Sequence, residues 1–311
     1  MMPNHPGRCR KGKKSRQRNI VRFYIKLSDK IIEINSIYQD VYEMCQDYLY
    51  TPTDDNIGKP GDVREIDGSS YSCEPDIIVT TVQADIEFER SRNSDEEHVT
   101  DGYLETLAVY RSIAEQMLNL DTILMHGSVV AVGEEAYMFT AASGVGKTTR
   151  TRWWLEQVPG AYIINGDKPL LHITDNGVMA CGTPWSGKEK LNTNKTVPLR
   201  SIIVLDRSEE DQNGDTGNSS FCTDGTEDNE KGSLSCDVEY DEESLQKITF
   251  LEAFAMLLQQ TYRPELPALM SKTLGLLKKL GQNVTIYRYR CSLDDTDMVR
   301  VYEVVTEKAR L

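Results

Sequence analysis

Residues 141–148 carry glycines, a lysine and a hydroxyl at the spacing of a phosphate-binding loop, in its alanine-first form. Gly144 and Gly146 permit backbone angles that a Cβ would forbid, so successive N–H groups can point at phosphate oxygens. Lys147 would reach the β- and γ-phosphates, and the Thr148 hydroxyl would ligate Mg²⁺. The predicted nucleotide contacts are Ser143, Gly144, Val145, Gly146, Lys147, Thr148 and Thr149.

The sequence on either side of this loop predicts the elements that it needs. Residues 136–140 predict a short apolar strand, and residues 148–157 predict a helix that begins at the loop. The helix N-terminus would add its own N–H groups to an anion site. The alternative is a glycine-rich turn that caps a core helix, which leaves Lys147 without a role.

Three segments together resemble the catalytic domain of HPr serine kinase/phosphorylase, a member of the fold group of ATP-dependent phosphoenolpyruvate carboxykinase. They are His126-Gly127, the loop at 141–148, and Ile164-Asn-Gly-Asp167. This resemblance covers residues 121–205. It implies a kinase that uses ATP and Mg²⁺. The sequence leaves the oligomeric state open. HPr kinases assemble into hexamers, so the resemblance suggests a homo-oligomer.

A second set of residues is similar to a group of uncharacterised bacterial HPr-kinase-like proteins. They are Gly182-Thr-Pro-Trp-Ser-Gly-Lys188, Asn192 and Pro198-Leu199. This similarity covers residues 20–311 without an acidic insertion. Lys188 can neutralise charge that develops on a transferring phosphoryl group. The alternative for this segment is a tight turn with Trp185 in the core.

Asp167 is the predicted catalytic residue, because it follows a predicted strand whose end should lie beside the loop. A carboxylate there can hold Mg²⁺, with Thr148, or accept the proton of an incoming hydroxyl. A turn aspartate in Asn-Gly-Asp is the alternative. The family usually has two adjacent acids at this place, and the first is Gly166 here. Either Asp167 serves both roles, or a second acid comes from elsewhere, or catalysis has been lost.

His126 resembles the family histidine that helps poise the catalytic acid. A neutral imidazole near a carboxylate can tune its pKa and share its proton. Without the resemblance, His126 is interpreted as a core histidine with satisfied hydrogen bonds.

Charge is distributed unevenly along the 311 residues, whose formal net charge is −14. Residues 209–243 hold thirteen acidic residues and one lysine, whereas residues 8–18 hold seven basic residues and no acid. We predict a disordered basic tail at 1–19 and a disordered acidic insertion at 208–244. Because the rest of the chain is acidic and the tail lacks aromatics, nucleic acid is not an expected partner.

Apolar runs and cysteines indicate the compartment. No run of about eighteen apolar residues predicts a membrane helix, and the start of the chain lacks an apolar leader segment. The seven cysteines are scattered without a Cys-x-x-Cys pair, which is typical of reduced thiols. We therefore expect a cytoplasmic protein without a membrane partner.

Hydrophobic periodicity predicts a small α+β module at 20–120 and a P-loop kinase-like domain at 121–311. In the module we predict a hairpin at 21–27 and 31–35, helices at 39–48 and 103–118, a loop at 51–72, and strands at 76–82 and 84–89. In the second domain we predict strands at 121–132, 136–140, 161–164, 170–173, 178–181, 201–205 and 284–290, and later helices at 248–262, 267–280 and 295–308. Strands outnumber helices after the loop, so the predicted fold is α/β with a mixed sheet, of the phosphoenolpyruvate carboxykinase/HPr kinase type.

These features leave three functions open. The preferred one is an ATP-dependent phosphotransferase whose acceptor is a serine of a protein or peptide, or a small hydroxylated metabolite. The second is a nucleotide-binding regulatory protein with degraded catalysis, which Gly166 permits. The third is a carboxykinase-type lyase. It is disfavoured because the chain is short, because the sequence shows no second-metal ligand set, and because only His126 of the expected Lys and His pair precedes the loop.

Overall fold

The computed structural model describes residues 20–51, 64–66, 69–71, 74–92, 99–207, 244–291 and 298–307. The predicted basic tail lies outside these residues, and so does the predicted acidic insertion except for Ser244. Within the described residues the fold is mixed α/β, with a curled nine-stranded sheet, a three-stranded sheet, a two-stranded hairpin and seven α-helices. The predicted class, α/β with a mixed sheet, is confirmed at that level.

The first half of the chain forms the three-stranded sheet, in the order β1-β2-β5, with helix α3 packed on it. Its elements are β1 (Val21–Leu27), β2 (Lys30–Ser36), α1 (Gln39–Met44), a 3₁₀ turn (Gln46–Tyr48), β3 (Arg64–Ile66), β4 (Ser69–Tyr71), β5 (Ile77–Thr80), α2 (Gln83–Arg92) and α3 (Asp101–Met117). The predicted β1–β2 hairpin is confirmed, with Val21 opposite Ser36.

The strand predicted at 84–89 is wrong, because this segment belongs to helix α2. Apolar residues alternate at Ala84, Ile86 and Phe88, which imitates the period of a strand. In the helix the buried positions are instead Ile86 and Glu89, three residues apart on one face. Glu89 there accepts a hydrogen bond from Arg111 of α3 at 2.7 Å. Packing against α3 therefore favours a helix over a strand in this segment.

The second half of the chain builds the nine-stranded sheet. Its strands are β6 (Thr122–Leu124), β7 (Ser128–Val132), β8 (Glu135–Thr140), β9 (Ala161–Asn165), β10 (Leu170–Thr174), β11 (Gly177–Cys181), β12 (Thr196–Arg207), β13 (Leu245–Ile248) and β14 (Thr285–Cys291). Its helices are α4 (Lys147–Gln157), α5 (Phe250–Gln260), α6 (Pro267–Asn283) and α7 (Met298–Glu307). The single strand predicted at 121–132 is interrupted at His126, which lies between β6 and β7.

Seven strands of this sheet follow the order β6-β10-β11-β12-β8-β7-β9, and the other two join through β14, which pairs with both β12 and β13. The first residues of β12 pair with β11, and its later residues lie between β8 and β14. Strand β7 is antiparallel to both of its neighbours, with Ser128 opposite Phe139 of β8 and Val129 opposite Asn165 of β9. Strands β8 and β9 therefore end at the same edge, and this edge carries the candidate site.

One hydrophobic core crosses the predicted domain boundary at residue 120. Leu124, Leu170 and Trp185 of the second half pack in one cluster with Ile25 and Ile113 of the first. The division into two domains remains a prediction from sequence.

None of the helices in the described ranges is both long and apolar enough to cross a membrane.

Candidate functional site

The predicted phosphate loop lies between β8 and α4, as the sequence indicates. Gly144 has φ of 82° and Gly146 has φ of 105°, both in the left-handed region that favours glycine. Gly146 precedes the first residue of α4, Lys147, so the first-turn N–H groups of the helix face the loop. Ser143, Thr148 and Thr149 are exposed, and Val145 and Lys147 are half-buried.

Lys147 lies across its own loop, where Nζ donates a hydrogen bond to the carbonyl oxygen of Ala141 at 3.1 Å. Burial lowers the pKa of Lys147, and the negative charge of Asp167 acts in the opposite direction. The ammonium and the carboxylate therefore lie within electrostatic reach of each other, although the sequence places them twenty residues apart.

Asp167 is held between two basic side chains. Its Oδ1 lies 3.2 Å from His126 Nε2 and its Oδ2 lies 3.4 Å from Lys168 Nζ. Burial raises the pKa of Asp167, but the hydrogen bond from His126 and the charge of Lys168 outweigh burial and hold the pKa below its usual range. Asp167 is thus ionised at neutral pH, and its side chain keeps 24% exposure. The structure brings His126 and Asp167 together, and their catalytic roles remain predictions.

Gln260, the last residue of α5, holds His126 in place. Its Oε1 lies 2.8 Å from His126 Nδ1, and its carbonyl oxygen accepts a 2.7 Å hydrogen bond from the His126 backbone N–H. Thr140 Oγ1 donates to the His126 carbonyl oxygen at 2.9 Å. Gln260 is not predicted from the sequence, because no local pattern marks a contact made across 134 residues.

Asn165 makes the turn that carries Asp167. Its Oδ1 accepts hydrogen bonds from the backbone N–H groups of Asp167 at 2.9 Å and Lys168 at 2.7 Å. Its Nδ2 donates to the carbonyl oxygen of Thr183 at 3.0 Å. The favourable turn chemistry of Asn-Gly-Asp thus belongs to Asn165, and it leaves the Asp167 carboxylate available.

A cavity of about 260 Å³ joins the phosphate loop to Asp167. Its walls are formed by Ser128, Thr148, Thr151, Gly166, Asp167, Ser186, Gly187, Lys188, Glu189 and Leu191. Lys188 is exposed at this cavity, whereas Trp185 is buried and donates from Nε1 to the carbonyl oxygen of Thr106 at 3.0 Å. Both interpretations of the 182–188 segment therefore have support, at different residues. A larger cavity of about 580 Å³, beside β13 and the end of α6, has none of the predicted site residues in its wall.

The segment 186–191 occupies the space beside Gly166. The Gly166 N–H donates to the carbonyl oxygen of Leu191 at 2.8 Å. A Cβ at residue 166 would lie 3.3 Å from the carbonyl oxygens of both Leu191 and Ser186. A side chain at residue 166 would therefore crowd the backbone of this segment.

This segment is anchored on both sides. Asn192 Nδ2 donates to Ser186 Oγ at 2.7 Å, and Tyr48 in the first half of the chain donates to Asn192 Oδ1 at 3.0 Å. Glu189 forms an ion pair with Arg152 of α4. Tyr48 was not predicted from the sequence, because it is 144 residues from its partner.

The oxygen ligands fit a phosphate-bound Mg²⁺ better than a metal held by protein alone. Thr148 and Asp167 line one cavity, and Mg²⁺ usually takes one or two protein oxygens together with substrate phosphates. No group of three or more His, Cys, Asp or Glu side chains in the described parts of the chain could hold a metal ion.

No known protein-family model and no curated protein matches this sequence. Among solved structures, the Hpr(Ser) kinase/phosphatase from Coxiella burnetii is similar over 60% of this chain and 90% of that chain. The likeness is weak. Its TM-score is 0.32 at 11% sequence identity, which is too low to decide the fold group or the activity. A function for this protein is therefore inferred from the geometry of the site.

Proposed function

We propose that this protein is an ATP-dependent phosphotransferase with an HPr-kinase-like P-loop fold. It transfers the γ-phosphate to a hydroxyl, either of a protein or peptide serine or of a small metabolite. The observation that carries the proposal is the cavity that Thr148 of the loop helix and the ionised Asp167 line together. A cytoplasmic location and a homo-oligomer accompany the proposal as predictions from sequence.

The loop has the features that a nucleotide triphosphate requires. Residues 143–149 would hold the phosphates through backbone N–H groups and the Lys147 ammonium. Thr148 and Asp167 would hold Mg²⁺, which neutralises charge on the β- and γ-phosphates when it is bound.

Asp167 would accept the proton of the acceptor hydroxyl. At the same time the hydroxyl oxygen would bond to the γ-phosphorus, and the bond between that phosphorus and the leaving ADP would break. His126, oriented by Gln260, would hold the Asp167 carboxylate in place through Nε2, the atom that faces Asp167 Oδ1. Lys147 and Lys188 would stabilise the charge on the transferring group.

A second candidate is a nucleotide-binding protein without catalysis. The observation that favours it is Gly166, which leaves Asp167 without an adjacent acid and lies where a larger side chain would crowd the backbone. Both candidates need the nucleotide, and only the first needs transfer.

Two measurements test the proposal in order. Calorimetric titration should show that Lys147→Ala weakens ATP binding by about 100-fold, since the loss of a phosphate-bound ammonium costs several kcal/mol. The exposed Lys278→Ala on α6 is the matched control and should bind as the wild type does. Equal affinity in Lys147→Ala would refute the phosphate loop.

Purified protein is then incubated with γ-labelled ATP, Mg²⁺, a metabolite pool and serine peptides, and the labelled product is identified. Transfer to a hydroxyl supports the phosphotransferase. Tight ATP binding without transfer to any acceptor supports the second candidate.

A further inference from the structure

Ser128 is a buried residue in the wall of the candidate-site cavity. It is the first residue of β7 and is 1% exposed. Among the described residues its Oγ has no hydrogen-bond partner. Most buried polar side-chain atoms are hydrogen-bonded, and an unsatisfied one costs about 1–3 kcal/mol. A ligand in the site that accepts a hydrogen bond from Ser128 Oγ would remove that penalty.

The register of the sheet places Ser128 between the loop and the acid. Its neighbours across the strands are Phe139, just before the loop, and Asn165, which pairs with the next residue, Val129. Side chains alternate along a strand, so Ser128 faces the same side as Val130. Val130 packs in one cluster with Trp154 of α4, so this is the side that α4 covers.

The cavity lies on that side. Thr148 and Thr151 line it from adjacent turns of α4, and Asp167 lines it from the end of β9. The Thr151 hydroxyl already donates to the carbonyl oxygen of Lys147 at 2.9 Å. The Asp167 carboxylate is already paired with His126 and Lys168.

We propose that the Ser128 hydroxyl is a ligand-binding group of this site and donates a hydrogen bond to an oxygen of the terminal phosphate of a bound nucleoside triphosphate. The inference rests on the proposed function. Thr148 and Asp167 belong to the γ-phosphate end of the site, and Ser128 shares their cavity. A hydrogen bond to an anionic oxygen is stronger than one to a neutral acceptor. A water molecule offers the same oxygen chemistry, and the test distinguishes the two sources.

Ser201→Ala is a matched control for Ser128→Ala. Ser201 lies on β12, is fully buried and also has a hydroxyl without a partner in the described residues, but it does not line this cavity. Both substitutions remove an unpaired buried hydroxyl, so both should leave the melting temperature of the nucleotide-free protein unchanged or slightly raised. If Ser128→Ala does not fold, the near-isosteric Ser128→Cys replaces it in the same measurements.

Calorimetric titration with adenylyl-imidodiphosphate and with ADP completes the test. Ser128→Ala should weaken binding of the triphosphate analogue by about tenfold and change ADP affinity by less than about twofold. Ser201→Ala should change neither. Equal weakening for both nucleotides would overturn the inference in favour of a water molecule or an inner phosphate, and unchanged affinity would overturn it outright. If the wild type binds neither nucleotide, the proposed function itself fails.

Discussion

Glu33 on β2 and Asp167 after β9 are two carboxylates whose pKa values are both lowered, although their surroundings differ. Burial raises the pKa of Glu33, and hydrogen bonds from Asn35 and Arg22 more than offset it, so its pKa lies below the usual range, as that of Asp167 does. Glu33 accepts from Arg22 at 2.8 Å, Tyr24 at 3.1 Å and Asn35 at 3.0 Å. Its side chain is 5% exposed and all three partners belong to one hairpin.

Asp167 differs in what lies on its open side. His126, one of its two partners, comes from a distant part of the chain. The Asp167 side chain is 24% exposed and lines a cavity that Thr148 also lines. A lowered pKa therefore does not by itself separate a structural carboxylate from a functional one. What distinguishes Asp167 from Glu33 is its position in the wall of a cavity that it shares with Thr148.

The largest expected effect is on catalysis at Asp167. Asp167→Asn keeps the shape of the side chain but removes the charge that takes a proton and attracts Mg²⁺. Single-turnover phosphoryl transfer at saturating Mg²⁺ should fall by two to four decades, about 3–5 kcal/mol of transition-state stabilisation. Glu33→Gln is the control and should transfer at the wild-type rate. Equal rates for wild type and Asp167→Asn would reject Asp167 as catalytic.

The next effect is on stability at Glu33. Glu33→Ala leaves Arg22, Tyr24 and Asn35 without their shared acceptor, so the free energy of unfolding should fall by about 2–3 kcal/mol. Urea unfolding measures it, with Asp167→Asn expected to change stability by less than about 1 kcal/mol. If Asp167→Asn destabilises the fold as much as Glu33→Ala does, the distinction between the two carboxylates is wrong.

The pH dependence of stability should follow the lowered pKa of Glu33. The pKa is lower in the folded than in the unfolded chain, where it is about 4.3. Ionised Glu33 therefore contributes its full stability above that value and loses it as the pH falls through the folded pKa. Urea unfolding of wild type and Glu33→Gln, from pH 7 down to pH 3, should show a stability difference that shrinks only at the acidic end. A constant difference would mean that the charge of Glu33 contributes nothing.

The smallest effect is expected at Gly166, beside the acid. A methyl group there approaches two carbonyl oxygens at 3.3 Å, so Gly166→Ala should destabilise the fold by about 1 kcal/mol unless the 186–191 segment moves. Gly275→Ala on α6 is the matched control, because a Cβ there meets open space and should stabilise the helix by about 0.5–1 kcal/mol. A stabilising Gly166→Ala would show that the segment yields easily.

Local chemistry made much of this predictable from sequence. The left-handed glycines of the loop, the helix start at Lys147 and the β1–β2 hairpin each follow from residues a few positions apart. The resemblance predicts that His126 lies beside Asp167, and His126 Nε2 lies 3.2 Å from Asp167 Oδ1. The rest depends on the order of strands in the sheet, which no short pattern encodes. Gln260 and Tyr48 contact the site through hydrogen bonds to residues 134 and 144 positions away in the sequence.

Strand β7 lies between β8 and β9 and so sets the distance between them. It separates the strand that ends at the phosphate loop from the strand that ends at Asn165. Adjacent strands lie about 4.8 Å apart, so two spacings set roughly 10 Å between the backbones that carry the loop and the acid. Hydrogen bonds between the strands set that gap. The span between the predicted phosphate loop and Asp167 is therefore a property of the strand order, whereas the 186–191 segment lines the same cavity from outside the sheet.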